Sequence, residues 1–209
     1  MKKNELIDIL NNDICNIIFD LGGVIINVDY FKTEKAFRNM GIADFDKIFS
    51  KVQQSKIVDK LEVGTISPTE FRENLKMLCG QQLSENAIDN AWNAMILDFP
   101  KERLNILNKL RQKYKLFLLS NTNKIHIDYC IKNLNFEKIE SELDKVYLSH
   151  EINLRKPNVD AYEFVLRDAN LQAAQTLFID DILKNVEGAR NAGLFAYHLT
   201  NGETIEDIF

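Results

Sequence analysis

The sequence predicts an α/β fold: a Rossmann-like, mainly parallel sheet core flanked by helices, with a helical cap inserted after the first strand. Three observations point to it. Five short, β-rich apolar segments recur along the 209 residues, each followed by a polar turn and usually by helix-like sequence. These segments are apolar throughout, not at every second residue, which suits strands covered on both faces. Between the first and the second lies a long stretch with no strand-like segment of its own.

The strands are expected at Asn16–Phe19, Leu116–Leu119, Val146–Leu148, Leu177–Ile179 and Phe195–Leu199. Helices fill the gaps. Leu104, Leu107 and Leu110 repeat at three-residue spacing after Pro100, and Ala161, Phe164, Val165 and Ala169 form an apolar stripe after Pro157. Gly193 ends a helix that carries Val186, Ala189 and Ala192. From Tyr30 to Phe99 the pattern is helical: Ser67-Pro68-Thr69-Glu70 reads as a capping box with proline at the first helical position, followed by Phe71, Leu75 and Leu78 at helical spacing. An insertion directly after the first strand is expected to cover the carboxyl ends of the strands, where ligands bind in such sheets. The expected division is residues 1–29 and 100–209 for the core and 30–99 for the cap. Phe45, Phe49, Phe71 and Trp92 supply the aromatic area that would hold so small a cap together.

Composition narrows the function classes. The chain is 45% hydrophobic, enough for one substantial core, and its net charge of -5 comes from 26 basic and 31 acidic residues scattered along it. No Lys/Arg block could track a phosphate backbone, so nucleic acid is not an expected partner. No apolar run approaches the ~20 residues of a membrane span. The N-terminal MKKNELIDILNNDI has acidic and amide residues where a secretory signal would be apolar. A cytoplasmic protein is expected, with no membrane association and no obligate protein partner evident. Cys15, Cys79 and Cys130 are odd in number, far apart and in no C-x-x-C arrangement, so three buried thiols are expected, not disulfides or a zinc site.

The chemistry lies at the strand ends. Asp20 follows NIIF, Ser120 follows LFLL, Lys156 comes shortly after VYLS, and Asp180-Asp181 follow LFI. Parallel strands bring these positions to one edge of the sheet. A carboxylate, a hydroxyl, an ammonium and an acidic pair are what phosphoryl transfer requires: an attacking oxygen, donors for the equatorial oxygens, and ligands for a hard divalent cation. Taken alone, Asp180-Asp181 also reads as an acidic turn closing a strand.

Phe19-Asp20-Leu21-Gly22-Gly23-Val24, Leu119-Ser120-Asn121-Thr122, Arg155-Lys156-Pro157 and Phe178-Ile179-Asp180-Asp181 with Asn185 resemble, in order and spacing, the four motifs of the haloacid dehalogenase-like hydrolases. The resemblance runs from about Cys15 to Leu199. It implies that Asp20 is a nucleophile forming an aspartyl-phosphate and also a magnesium ligand. Ser120, with the backbone of Asn121 and Thr122, would bind the transferring phosphoryl group, and Lys156 would balance the charge shared by Asp20 and phosphate. The metal would be Mg2+, held by Asp20, the carbonyl of Gly22 and Asp181, with Asp180 and Asn185 orienting ligands around it. The implied partner is a small phosphorylated metabolite.

One position departs from the family pattern. Phosphatases of this type carry a second aspartate two residues after the nucleophile as general acid and base, whereas this chain has Gly22. General acid catalysis is typically worth ~10²–10⁴-fold, so the expected enzyme is slow, takes substrates with good leaving groups, or recruits another acid. An anomeric sugar phosphate leaves as a hemiacetal oxygen and needs less protonation. The sequence looks particularly similar to bacterial phosphatases of α-D-glucose-1-phosphate, which share this glycine, the string Ser-Asn-Thr-Asn, a histidine at the place of His126, and Gly-x-Ile-Ser as in Gly64-Thr65-Ile66-Ser67. Two rival readings stand beside it: a catalytically silent or slow binding protein, and a metal-independent haloacid dehalogenase, against which the Asp180-Asp181 pair argues.

Other polar residues keep two readings each. His126 is either a replacement acid near neutral pH or a partly buried polar side chain. Asp29 and Tyr30 either touch substrate or mark a helix N-terminus. His150 and His198 have no metal-ligand spacing and read as structural. Gly22 and Gly23 fit no nucleotide-binding motif and are explained by a tight turn that lets backbone approach metal and phosphate.

Overall fold

The computed structural model describes residues 3–12, 14–42, 56–79, 83–200 and 202–209. Phe45 and Phe49 lie outside them. In chain order the elements are α1 (Lys3–Asn12), β1 (Asn16–Phe19), α2 (Tyr30–Asn39), α3 (Ile57–Glu62), α4 (Pro68–Cys79), α5 (Glu85–Asn93), α6 (Lys101–Leu110), β2 (Lys115–Ser120), α7 (Lys124–Leu134), α8 (Phe136–Glu140), β3 (Lys145–Leu148), α9 (Ser149–Ile152), α10 (Val159–Asp168), β4 (Thr176–Asp180), α11 (Leu183–Asn191) and β5 (Phe195–His198). Single 3₁₀ turns precede β4 and close the chain.

The five strands form one parallel sheet in the order β3-β2-β1-β4-β5. Their apolar character is explained by burial on both faces. Ile17 and Phe19 of β1 point to one side with Leu116, Leu118 and Leu177, against Leu6 of α1 and Leu107 of α6. Ile18 points to the other with Phe117 and Phe178, against Tyr162 and Val165 of α10 and Val186 of α11. With helices on both faces, the buried strand positions remove apolar surface from water, which drives the assembly.

Helices α2 to α5, which precede α6 in the chain, contribute apolar residues to a separate cluster that includes Phe37, Leu61, Phe71, Leu75, Ile88 and Trp92. Phe71 and Trp92 pack with ring centroids 4.9 Å apart. Ile125, from the turn of α7 just beyond β2, also joins this cluster. The capping box forms as read: Glu70 N–H donates to Ser67 Oγ at 3.2 Å, and Ser67 N–H donates back to Glu70 Oε2 at 2.7 Å.

Two expectations need correction. Of the three thiols only Cys130 is buried; Cys15 is exposed and Cys79 half-buried. Cys15 sits just ahead of β1, with its N–H donated to Gln175 and its carbonyl accepting from Lys115, so it lies at the sheet's amino edge, not between layers. Leu199, placed in the last strand by the sequence, lies just beyond β5 and donates its N–H to Asp180 O at 3.1 Å. Among the described residues, no helix is long and apolar enough to cross a membrane.

Candidate active site

The chain runs outward from β1 through β2 to β3 and then crosses to β4 on the other side of β1, so the strand order reverses between β1 and β4. Crevices at the carboxyl ends of strands form at such a reversal. Asp20 follows β1, Asp180 ends β4, and Asp181 comes next. Carboxylate oxygens of the three lie within 4.8 Å of one another.

Lys156 sits among them. Its Nζ is 2.7 Å from Asp20 Oδ1 and 2.7 Å from Asp180 Oδ2, with the lysine 1% and Asp180 0% exposed. Burying an ammonium is tolerable only when it is paired in this way. Burial alone would lower the lysine's pKa, but the two carboxylates outweigh it and hold it above its ordinary value. Asp180 is saturated: besides Lys156, it accepts from Ile182 N–H at 2.7 Å and from Asn185 Nδ2 at 3.2 and 3.0 Å. Asn185 is itself held through its carbonyl, which accepts from Tyr162 OH at 2.7 Å.

The other two carboxylates are less fully partnered. Burial pushes Asp20 up to about 7, with Lys156 opposing the shift and Asp180 and Asp181 adding to it. Asp181 is raised as well, by burial first and then by Asp180, and its buried Oδ1 has no hydrogen-bond partner among the described residues. One ammonium facing three carboxylates leaves an excess of negative charge and an unpartnered hard oxygen. That donor set fits a divalent cation such as magnesium.

The glycines after Asp20 admit this arrangement. Gly23 has φ +76, and a Cβ there would stand 2.3 Å from Asp181 Oδ2. The close approach that requires glycine is therefore that of Asp181, in addition to the turn read from sequence. At Gly22 a Cβ would meet Val28 Cγ1 at 3.3 Å, a tight fit.

The Ser120-Asn121-Thr122 segment divides its work differently from the expectation. Ser120 is buried, lines the cavity over the crevice, and its hydroxyl has no protein partner among the described residues. Asn121 uses its side chain on the lysine's backbone: its Oδ1 accepts from Lys156 N–H at 2.9 Å and its Nδ2 donates to Lys156 O at 2.8 Å. The Thr122 N–H donates to Ser149 Oγ at 2.9 Å, and that hydroxyl donates back to Thr122 O at 3.0 Å. Phosphate contact through the Thr122 amide is thus displaced by a contact inside the protein. The Lys156-Pro157 peptide is cis, and Gly188 of α11 backs against it, where a Cβ would lie 2.3 Å from Pro157 O.

A cavity of about 610 Å³ opens over the crevice. Gly22, Ser120, Asn121, Tyr30, Trp92 and Met95 are among its lining residues. Asp29 caps α2 by accepting from Phe31 N–H at 3.0 Å, the helix-terminus reading, while Tyr30 beside it does reach the cavity. His126 also lines the cavity; its Nδ1 lies 2.7 Å from Asn93 Oδ1 and its ring stacks on Trp92 at 5.3 Å. Burial pushes this histidine down to about 3, so at neutral pH it is no imidazolium and does not fit the replacement-acid reading. His198 is not isolated in space: its Nε2 donates to the carbonyl of Asp181 at 3.0 Å. Ser149, Tyr162 and Asn93 were not legible as site residues, because each acts through a partner fixed only by the tertiary fold.

The family profile of the haloacid dehalogenase-like hydrolases matches residues 16–193. The chain belongs to this family. A D-ribitol-5-phosphate phosphatase from Bacteroides thetaiotaomicron is 33% identical to this hydrolase over 190 residues, 90% of this chain and 92% of the relative. Among solved structures, a haloacid dehalogenase family enzyme from the same organism, in complex with magnesium and inorganic phosphate, superposes with TM-score 0.84 at 36% identity, covering 91% of this chain and 96% of that one. A HAD-like hydrolase from Porphyromonas gingivalis gives 0.81 at 33% identity, with 91% and 93% covered. The enzyme class expected from the sequence, a phosphohydrolase, agrees with these relatives.

Proposed function

We propose that this hydrolase is a magnesium-dependent phosphatase of a small phosphorylated metabolite, a sugar or polyol phosphate, acting through an aspartyl-phosphate on Asp20. The observation that carries the proposal is Lys156 Nζ, paired at 2.7 Å with both Asp20 and Asp180 beside an unpartnered Asp181 oxygen. Residues 30–99 act as the cap over that site. The free, exposed Cys15 fits a reducing, cytoplasmic setting.

In the first step an Asp20 oxygen bonds to phosphorus as the bond to the leaving oxygen breaks, and that oxygen takes a proton from cavity water. In the second, a water oxygen bonds to phosphorus as the Asp20–phosphorus bond breaks, and the water's proton passes to solvent, leaving orthophosphate and free Asp20. Lys156 remains an ammonium throughout and balances the charge on Asp20 and the phosphoryl oxygens, to which Ser120 donates its hydroxyl. Asp180, itself held by Asn185, fixes Lys156, and Asn121 fixes its backbone. Asp20, the Gly22 carbonyl and Asp181 would hold magnesium, which supplies positive charge against the phosphoryl oxygens.

The leaving group is the open variable. Gly22 offers no proton, which favours a hemiacetal leaving oxygen as in glucose-1-phosphate, whereas the ribitol-5-phosphate relative acts on a primary alcohol ester. Phosphate release from sugar-1-phosphates, D-ribitol-5-phosphate, acetyl phosphate and nitrophenyl phosphate, with magnesium and then with chelator, decides both questions. The expected result is magnesium-dependent release that Asp20→Asn abolishes. Wild-type protein that releases phosphate from none of them favours a silent binding protein, the reading motivated by Gly22. Halide release from a 2-haloacid that survives chelation favours the dehalogenase.

A further inference from the structure

His126 is fixed by three separate contacts. Asn123 caps α7 and accepts the His126 N–H at 3.1 Å, which fixes the backbone. The imidazole lies flat on Trp92, 5.3 Å between centroids and 5° between planes, which fixes the ring plane. Asn93 Oδ1 lies 2.7 Å from Nδ1, which fixes the rotation within that plane, and Asn93 itself is 5% exposed. An amide oxygen only accepts, so the proton sits on Nδ1 and Nε2 carries the lone pair. Nε2 has no protein partner among the described residues, and His126 lines the same cavity as Gly22 and Ser120.

We propose that His126 Nε2 is the hydrogen-bond acceptor for a hydroxyl on the substrate's organic part, making this residue a specificity determinant for polyhydroxylated phosphate esters. The inference rests on the phosphatase reading and deepens it. Two restraints on the ring, from Trp92 and Asn93 of α5, and one on its backbone, from the cap of α7, are what a preorganised contact needs: little rotational freedom remains to be lost when the ligand arrives. A lone pair presented to the cavity selects for O–H and against an ester oxygen or a second phosphate at that place. Burial keeps the ring neutral across the working pH range, so its role does not switch with modest acidification. A site built to bond a substrate hydroxyl discriminates strongly against the analogue that lacks it, because the protein group is then left unpaired.

The test compares His126→Phe, which preserves the stack on Trp92 and removes the acceptor, with wild type on D-ribitol-5-phosphate and nitrophenyl phosphate. We expect kcat/KM to fall on the order of tenfold more for the polyol ester than for the aryl ester, mainly through KM. Asn93→Leu, which frees the ring, should shift the same ratio in the same direction. Calorimetric binding of D-ribitol-5-phosphate to Asp20→Asn, with and without His126→Phe, keeps this separate from the chemistry: weaker binding in the double variant supports the acceptor role even if the wild type turns over nothing. Equal losses on both esters together with unchanged binding would overturn it.

Discussion

A methyl group on Gly23 would lie 2.3 Å from Asp181 Oδ2, on a backbone at φ +76 that side chains rarely adopt. Gly23→Ala is therefore expected to push the Asp181 carboxylate out of place and weaken magnesium binding by about 10–100-fold, the usual cost of disturbing the shell around a metal, while far-UV circular dichroism stays native. Calorimetric titration with magnesium reads it directly. Asp20 gives a second prediction at this scale. Its folded pKa of about 7 stands above the ordinary 3.8, so between those values the metal-free folded state binds more protons than the unfolded state and loses stability as pH rises. Asn at this position cannot ionise, yet its amide oxygen still accepts from Lys156. Metal-free Asp20→Asn should melt several degrees above metal-free wild type at pH 8, with the gain fading toward pH 4; a gain that is instead largest at pH 4 would reverse the sign. The sequence reveals these residues because reactive groups stand at strand ends. It conceals why Gly23 must be glycine, since the clash is with a residue from another strand.

At the level of elements, the strands were legible because burial on both faces leaves continuous apolar runs such as Ile17–Phe19 and Leu177–Ile179, and α4 was legible because its capping box is a local, self-contained signal. The four-residue α9 and five-residue α8 were not, being too short to show a period. α9 nevertheless matters: Ser149 begins it, and its hydroxyl holds the backbone of Thr122. Packing between elements is equally hidden. The turn carrying Lys156 rests on α11, where a Cβ on Gly188 would lie 2.3 Å from Pro157 O and 3.0 Å from Pro157 C. Backbone atoms on the far side cannot rotate away as a side chain would. Gly188→Ala should cost about 1–3 kcal/mol, as other overpacked interiors do. At about 2–4 °C per kcal/mol for a chain of this size, thermal melting would register several degrees, together with a lower kcat because Lys156 moves with the turn. Unchanged melting and kcat would mean that α11 shifts freely.

Across the whole molecule, the proposed metal ligands come from the two central strands: Asp20 follows β1 and Asp181 follows β4, paired in register from Asn16 with Thr176 to Phe19 with Ile179. No local opening separates them without breaking the middle of the sheet, so cation binding should couple to global unfolding rather than to fraying of one segment. A ligand that binds only the folded state stabilises it by about 2.7 kcal/mol at one hundred times its dissociation constant, which corresponds to about 5–11 °C in a chain of this length. Protons compete for the same oxygens, because Asp20 and Asp181 are both raised in the metal-free protein. The magnesium-induced rise in Tm should therefore be large at pH 8 and small at pH 5.5, and Asp181→Asn should remove most of it at either pH. The single tryptophan, Trp92, sits in the cluster of α2 to α5 yet stacks on His126 of α7. Through that contact and Ile125, this cluster is tied to the segment that follows β2. Tryptophan fluorescence and far-UV circular dichroism should consequently report the same magnesium shift in one transition. A shift seen by dichroism alone would show that α2 to α5 unfold on their own, and that the metal stabilises only the sheet and its flanking layers.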